Sequence, residues 1–216
     1  MPSTPLPSAA GDTDRPRRKG EVTAERILDA AEELFAERGY DGTTLRDVAA
    51  RVGIRNPSLY NHFDGKESLY AAVLDRGIRP VVELLSEFVD QRENRGELVV
   101  RVMDVLSRRP NLPRLVMHET ISGGQRLTPM LRSWIGPVFA RANEMVEAPE
   151  GGWDPELAPH LMLAMYHVVV GYFATAPLYK DLNGENLLAP EALERQSRAL
   201  VELTTRLFSD RTRSSD

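Results

Sequence analysis

Residues Leu45–Phe63 read LRDVAARVGIRNPSLYNHF, and the reading of this stretch decides the fold. Leu45, Val48, Ala49 and Val52 recur at helical spacing. Thr44, with Asp47 three residues on, opens the helix with a capping-box pattern, the acid standing in for the more usual Glu or Gln. Gly53 breaks the helix, Ile54 and Arg55 continue the turn, and Asn56-Pro57 reads as an N-cap followed by proline at the first helical position. The next helix is expected to reach about Phe63, with Leu59 and Phe63 turned inward. Ala49 is small enough to let two helices cross closely, while Val48, Val52, Ile54 and Leu59 fill the core between them. The spacing is that of a helix-turn-helix.

Upstream, Ile27, Leu28, Ala31, Leu34 and Phe35 mark an amphipathic helix over Ala24–Arg38, stopped by Gly39 and the turn Tyr40-Asp41-Gly42. Downstream, Gly65 and Lys66 open a pattern that extends to about Gln91, with Pro80 expected as a kink or break. Further helices are expected at Leu98–Ser107, Leu112–Ile121, Thr128–Val146, Pro155–Ala176 and Pro190–Phe208, separated by glycine and proline breaks. No run alternates as strands do. The expected fold is all-α, with an N-terminal three-helix helix-turn-helix domain (21–68) and a larger C-terminal helical domain (69–216).

The 216 residues are 42% hydrophobic and 27% charged, the composition of an ordinary soluble protein. With no cysteine, disulfides, thiol catalysis and Cys-ligated zinc are excluded. Residues 1–20 carry Pro, Ser and charge without an apolar run, so they read as a disordered arm rather than a secretory signal, and a cytoplasmic protein is expected. The net charge of −5 argues against a generally basic surface, but Arg15, Arg17, Arg18 and Lys19 concentrate positive charge just before the first helix. Leu161–Leu178 lacks Lys, Arg, Asp and Glu. His167, Thr175 and Pro177 interrupt it and no basic cluster flanks it, so burial or a subunit interface is expected rather than a membrane span. Leu193, Leu200 and Leu207, with Leu203, offer a bundle seam in the last helix, weakened by Gln196.

In a helix-turn-helix the second helix of the pair enters the major groove. Ser58, Asn61 and His62 are the candidates for base-edge or sugar contacts, Tyr60 for a phosphate oxygen, and Lys66 for an anion site at a helix N-terminus. Arg46 and Arg55 flank the backbone. Asn56 is ambiguous, since a capping amide is less available to a base.

Thr43–Asp75, TTLRDVAARVGIRNPSLYNHFDGKESLYAAVLD, resembles the DNA-binding region of TetR-type repressors, including the Leu59-Tyr60 and His62-Phe63 pairs and Lys66 just after. The resemblance runs from Val22 to about Leu74. It implies DNA contacts at Thr44, Arg46, Asn56, Pro57, Ser58, Tyr60, Asn61, His62 and Lys66. It also implies a homodimer formed by the last two helices, a palindromic operator in double-stranded DNA, and release by a small-molecule effector. Asn61 stands where many members have an aromatic or another polar residue, so the operator sequence does not carry over.

Candidates for the effector lining are Met103, Leu106, Met117, Ile121, Met130, Trp134, Met162, Met165, Tyr166 and Phe173, because methionine adapts to apolar shapes and aromatics add area. Ordinary core packing is the competing reading for each. His118-Glu119 and the pair His160 and His167 lack a third ligand, so no metal and no cofactor are expected. Two other function classes stay in view. A non-specific architectural DNA binder would show steep salt dependence without sequence preference. An all-helical enzyme finds no nucleophile elbow, phosphate loop or zinc-hydrolase helix in this chain.

Overall fold

The computed structural model describes residues 19–91, 95–133, 136–137, 140 and 156–209. Among them all regular structure is helical: α1 (Lys19–Arg38), α2 (Leu45–Val52), α3 (Asn56–Tyr60), α4 (Lys66–Gln91), α5 (Arg95–Ser107) and α6 (Asn111–Ile121). Helical residues 127–133 form α7, and α8 (Ala158–Asn183) and α9 (Pro190–Ser209) follow. Arg15, Arg17 and Arg18, Trp134, and most of the helix expected to Val146 lie outside the described residues, whereas Lys19 and Gly20, expected in a disordered arm, already belong to α1, which starts five residues before the expected Ala24.

Helix α2 begins as its sequence requires. Thr44 is extended, its hydroxyl accepts from the Asp47 N–H, and the Asp47 carboxylate accepts from the Thr44 N–H at 2.9 Å. At the other end Gly53 takes φ 77°, a left-handed conformation that spares a Cβ, and its N–H returns to the Ala49 and Ala50 carbonyls.

Three further expectations are corrected. The N-cap of α3 is Arg55, with no side-chain capping bond, so Asn56 is already helical and its amide makes no cap. That helix closes at Tyr60, because the N–H groups of both His62 and Phe63 converge on the Leu59 carbonyl. Helix α8 passes Pro177 and runs seven residues beyond the expected stop at Ala176, while α4 continues through Pro80 to the expected Gln91. An internal proline costs about 3 kcal/mol. In α4 the burial of Val73, Leu74, Ile78 and Leu84 on both sides of Pro80 offsets it.

The buried side chains form one cluster that starts with Ile27, Leu34 and Phe35 of α1, passes through Val48 and Leu59 and the α4 residues Leu69, Tyr70 and Leu74, and reaches Met103, Leu115, Phe173 and Leu200. Helix α4 crosses the expected domain boundary at 68/69 without interruption. Helix α9 packs on α5, so Leu200, with Leu193 and Val201 beside it, faces its own core rather than an unoccupied seam. At Gly77, α4 approaches α6 so closely that a methyl group would fall 2.4 Å from Leu112 Cδ1. No helix among the described residues is long and apolar enough to cross a membrane.

Candidate nucleic-acid interface

The helix pair is locked from behind. Thr43, fully buried, donates its hydroxyl to the Leu34 and Gly39 carbonyls at 3.1 and 3.0 Å, tying the start of α2 to the end of α1. Arg26 of α1 reaches the Val52 carbonyl at the end of α2, 2.9 Å away, and Arg51 pairs with Glu33 at 2.7 Å. Leu59 is fully buried and Phe63 half-buried, which pins α3 and the turn behind it. Sequence reading did not anticipate Thr43 or Arg26 in these roles. A threonine before a capping box is a weak signal, and Arg26 sits 26 positions from its partner.

With its inner face so held, α3 presents Asn56, Pro57 and Tyr60 outward, and Asn61 stands exposed in the turn that follows. Tyr60 is 54% exposed, unusual for so large an aromatic, and this disposes of a core role for it. Arg46 and Arg55 are exposed on the flanks, while Ser58 and His62 are half-buried. Thr44 is exposed, but its hydroxyl donates to Asp47 Oδ2 at 2.5 Å, which engages its one proton while the box holds. That hydroxyl and the Thr44 N–H hold the Asp47 carboxyl below its ordinary value of 3.8.

Lys66 opens α4 beside this surface, its ammonium 4.1 Å from the centre of the Tyr40 ring. Tyr40 packs against Phe35 and Tyr70, and the Arg126 guanidinium sits 3.6 Å from the same ring centre. Arg126 also stands 3.8 Å from Asp41 and 3.7 Å from Glu119, a carboxylate only 3% exposed. Glu119 Oε1 accepts from the Tyr70 hydroxyl at 2.9 Å. Burial, with that hydrogen bond, raises the Tyr70 phenol well above its usual range.

A second polar cluster ties α1 to α4. Arg76 donates to Glu25, Asp29 and Glu32, and Arg109 joins Glu32 from the α5–α6 turn at 3.0 Å. Burial pulls the Arg76 guanidinium down, but the Glu32 and Asp29 bonds prevail and its pKa stands raised.

The effector candidates scatter. Met103, Leu106 and Phe173 are core residues, Met117, Met130, Met165 and Tyr166 are half-buried, and Ile121 is 79% exposed at the end of α6. Tyr166 meets Thr120 at 3.1 Å between their hydroxyls. Trp134 and the side chain of Met162 lie outside the described residues. A surface groove of about 700 Å³ runs between α1, α4 and α7 over Leu28, Ala72, Pro80 and Met130, so of these candidates it takes in Met130. Among the described residues no three His, Asp or Glu side chains gather to hold a metal ion, and His167 Nδ1 lies 2.7 Å from the Leu163 carbonyl.

Fold and surface together define the class: an all-helical protein that presents a short recognition helix from a helix-turn-helix. Residues 27–73 match the family model of bacterial regulatory proteins of the tetR family. The chain is 39% identical over 72 residues to the biofilm operon icaADBC HTH-type negative transcriptional regulator IcaR of Staphylococcus aureus strain Newman. That match covers 33% of this chain and 37% of the relative, so the likeness spans about a third of each. The Staphylococcus epidermidis IcaR is 41% identical over 61 residues, 28% of this chain and 33% of that one. The fold extends further. A transcriptional regulator from Aquifex aeolicus VF5 superposes with a TM-score of 0.57 over 86% of this chain and 99% of its own, at 20% identity. The regulator SCO4942 from Streptomyces coelicolor gives 0.58 over 86% and 97%, also at 20% identity. All four carry names of transcription regulators.

Proposed function

We propose that the whole chain is a sequence-specific repressor that binds a palindromic operator as a homodimer and is released by a small-molecule effector. The observation that carries DNA binding is the outward face of α3, with Asn56, Pro57, Tyr60 and Asn61 exposed on a helix whose Leu59 is sealed in the core. Repression is supported by the IcaR relatives, whose names state negative regulation. Dimerisation is supported by α8, where Val168, Gly171, Thr175, Leu178 and Leu182 recur every three or four residues and all but half-buried Gly171 are exposed. Such a stripe suits a symmetric helix pair. Effector entry among the C-terminal helices would tilt α4 and change the separation of the two recognition helices, which must fit grooves about 34 Å apart.

Selection of binding sites from a random duplex pool tests this reading. A two-fold palindrome among the survivors supports it, and binding without sequence preference would instead mark an architectural DNA binder. The basic arm Arg15–Lys19 is proposed to add minor-groove or phosphate contacts. Removal of residues 1–19 should lower both affinity and its dependence on salt, measured by titration at several salt concentrations.

A further inference from the structure

Tyr40 does more than fill space between α1 and α4. Its ring is fixed by Phe35 at 6.1 Å and Tyr70 at 4.9 Å between centres, and two cations, Lys66 and Arg126, bear on it. Arg126 has carboxylates near it in Asp41 and Glu119, whereas Lys66 has none within ion-pair distance among the described residues. The partner Lys66 has is the ring.

A lysine side chain has rotamer entropy that a phosphate contact must overcome. An aromatic face that holds the ammonium removes part of that cost in advance. The ring accepts nothing from the N–H bonds that point away from it, so they stay directed toward an incoming anion. Lys66 lies at the N-terminus of α4, where the helix dipole also favours negative charge.

We propose that Tyr40 is a positioning residue for DNA binding: its ring seats the Lys66 ammonium where it meets the phosphate backbone. The proposal rests on the DNA-binding reading above, and its test separates the two. Operator affinity is measured against salt concentration for the wild type, Tyr40→Phe, Tyr40→Leu, Lys66→Gln and the Leu/Gln double variant, with thermal unfolding to confirm that each folds. Replacement of Tyr40 by pentafluorophenylalanine keeps the ring's shape but removes its attraction for cations.

Lys66→Gln should lower the slope of log affinity against log salt by about 0.9, the signature of one phosphate contact. Tyr40→Phe should bind like the wild type. Tyr40→Leu and the fluorinated ring should each lose about two- to fivefold in affinity, and Tyr40→Leu should lose nothing further once Lys66 is Gln. A Leu variant whose loss persists in full beside Lys66→Gln acts on the shape of the domain, and a fluorinated ring that binds like Tyr40→Phe needs no cation. Either result overturns the proposal, as does an unchanged salt slope in Lys66→Gln. A wild type that selects no sequence defeats the specific-repressor reading instead.

Discussion

Leu59 and Tyr60 are neighbours, yet one is sealed and the other stands 54% exposed. Tyr60→Ala should therefore leave the melting temperature within about two degrees, since surface changes stay near ±0.5 kcal/mol, while weakening operator binding in a gel-shift titration. Leu59→Ala should cost about 2–5 kcal/mol of stability by denaturant unfolding. The Thr44–Asp47 box makes a pH prediction. Asp47 titrates lower when folded, so its contribution is present above its ordinary value of 3.8 and is lost as pH falls through the lower folded value. The melting-temperature gap between wild type and Asp47→Asn, open at neutral pH, should close on acidification below that point. The box was legible because both partners lie within one turn of helix. Asn56 misled because an Asn-Pro pair reads as a cap wherever it occurs, and only the backbone at Arg55, φ −80° and ψ 147°, shows that the helix starts a residue earlier.

Between α1 and α4 the polar clamp centred on Arg76 joins groups 44 to 51 positions apart, with Glu32 nearly buried at 7% side-chain exposure. Removing Arg76 leaves the nearly buried Glu32 with Arg109 as its remaining cation among the described residues. Arg76→Leu should destabilise by about 1–3 kcal/mol, and a double-mutant cycle with Glu32→Gln in urea should show coupling between the two. Amphipathic spacing found the helices themselves, but it says nothing of which acid meets which base. The end of α8 was misplaced for a related reason. Proline is read locally, whereas the burial that carries a helix past it comes from distant elements.

The molecule as a whole presents an apolar stripe on α8 in which Leu178 and Leu182 are 60% and 74% exposed. Leu178→Glu with Leu182→Glu should shift the chain to a monomer in sedimentation velocity and abolish binding to a two-half-site duplex, while a single half-site is still bound weakly. The exposed outer face of α3 was legible because its residues are contiguous in sequence. The effector candidates were drawn from several helices whose residues also fill the core, and they scatter between core and surface. In the proposed release by an effector, one contact of α4 would bear on how the two ends communicate. Gly77, where Leu112 of α6 presses against bare backbone, lies eleven residues from Lys66, about 16 Å along the helix. It has the geometry of a fulcrum. A rotation of about 10° about it sweeps Lys66 through about 3 Å at that radius, and two such levers in a symmetric pair would alter the span between half-sites by about 6 Å out of 34 Å.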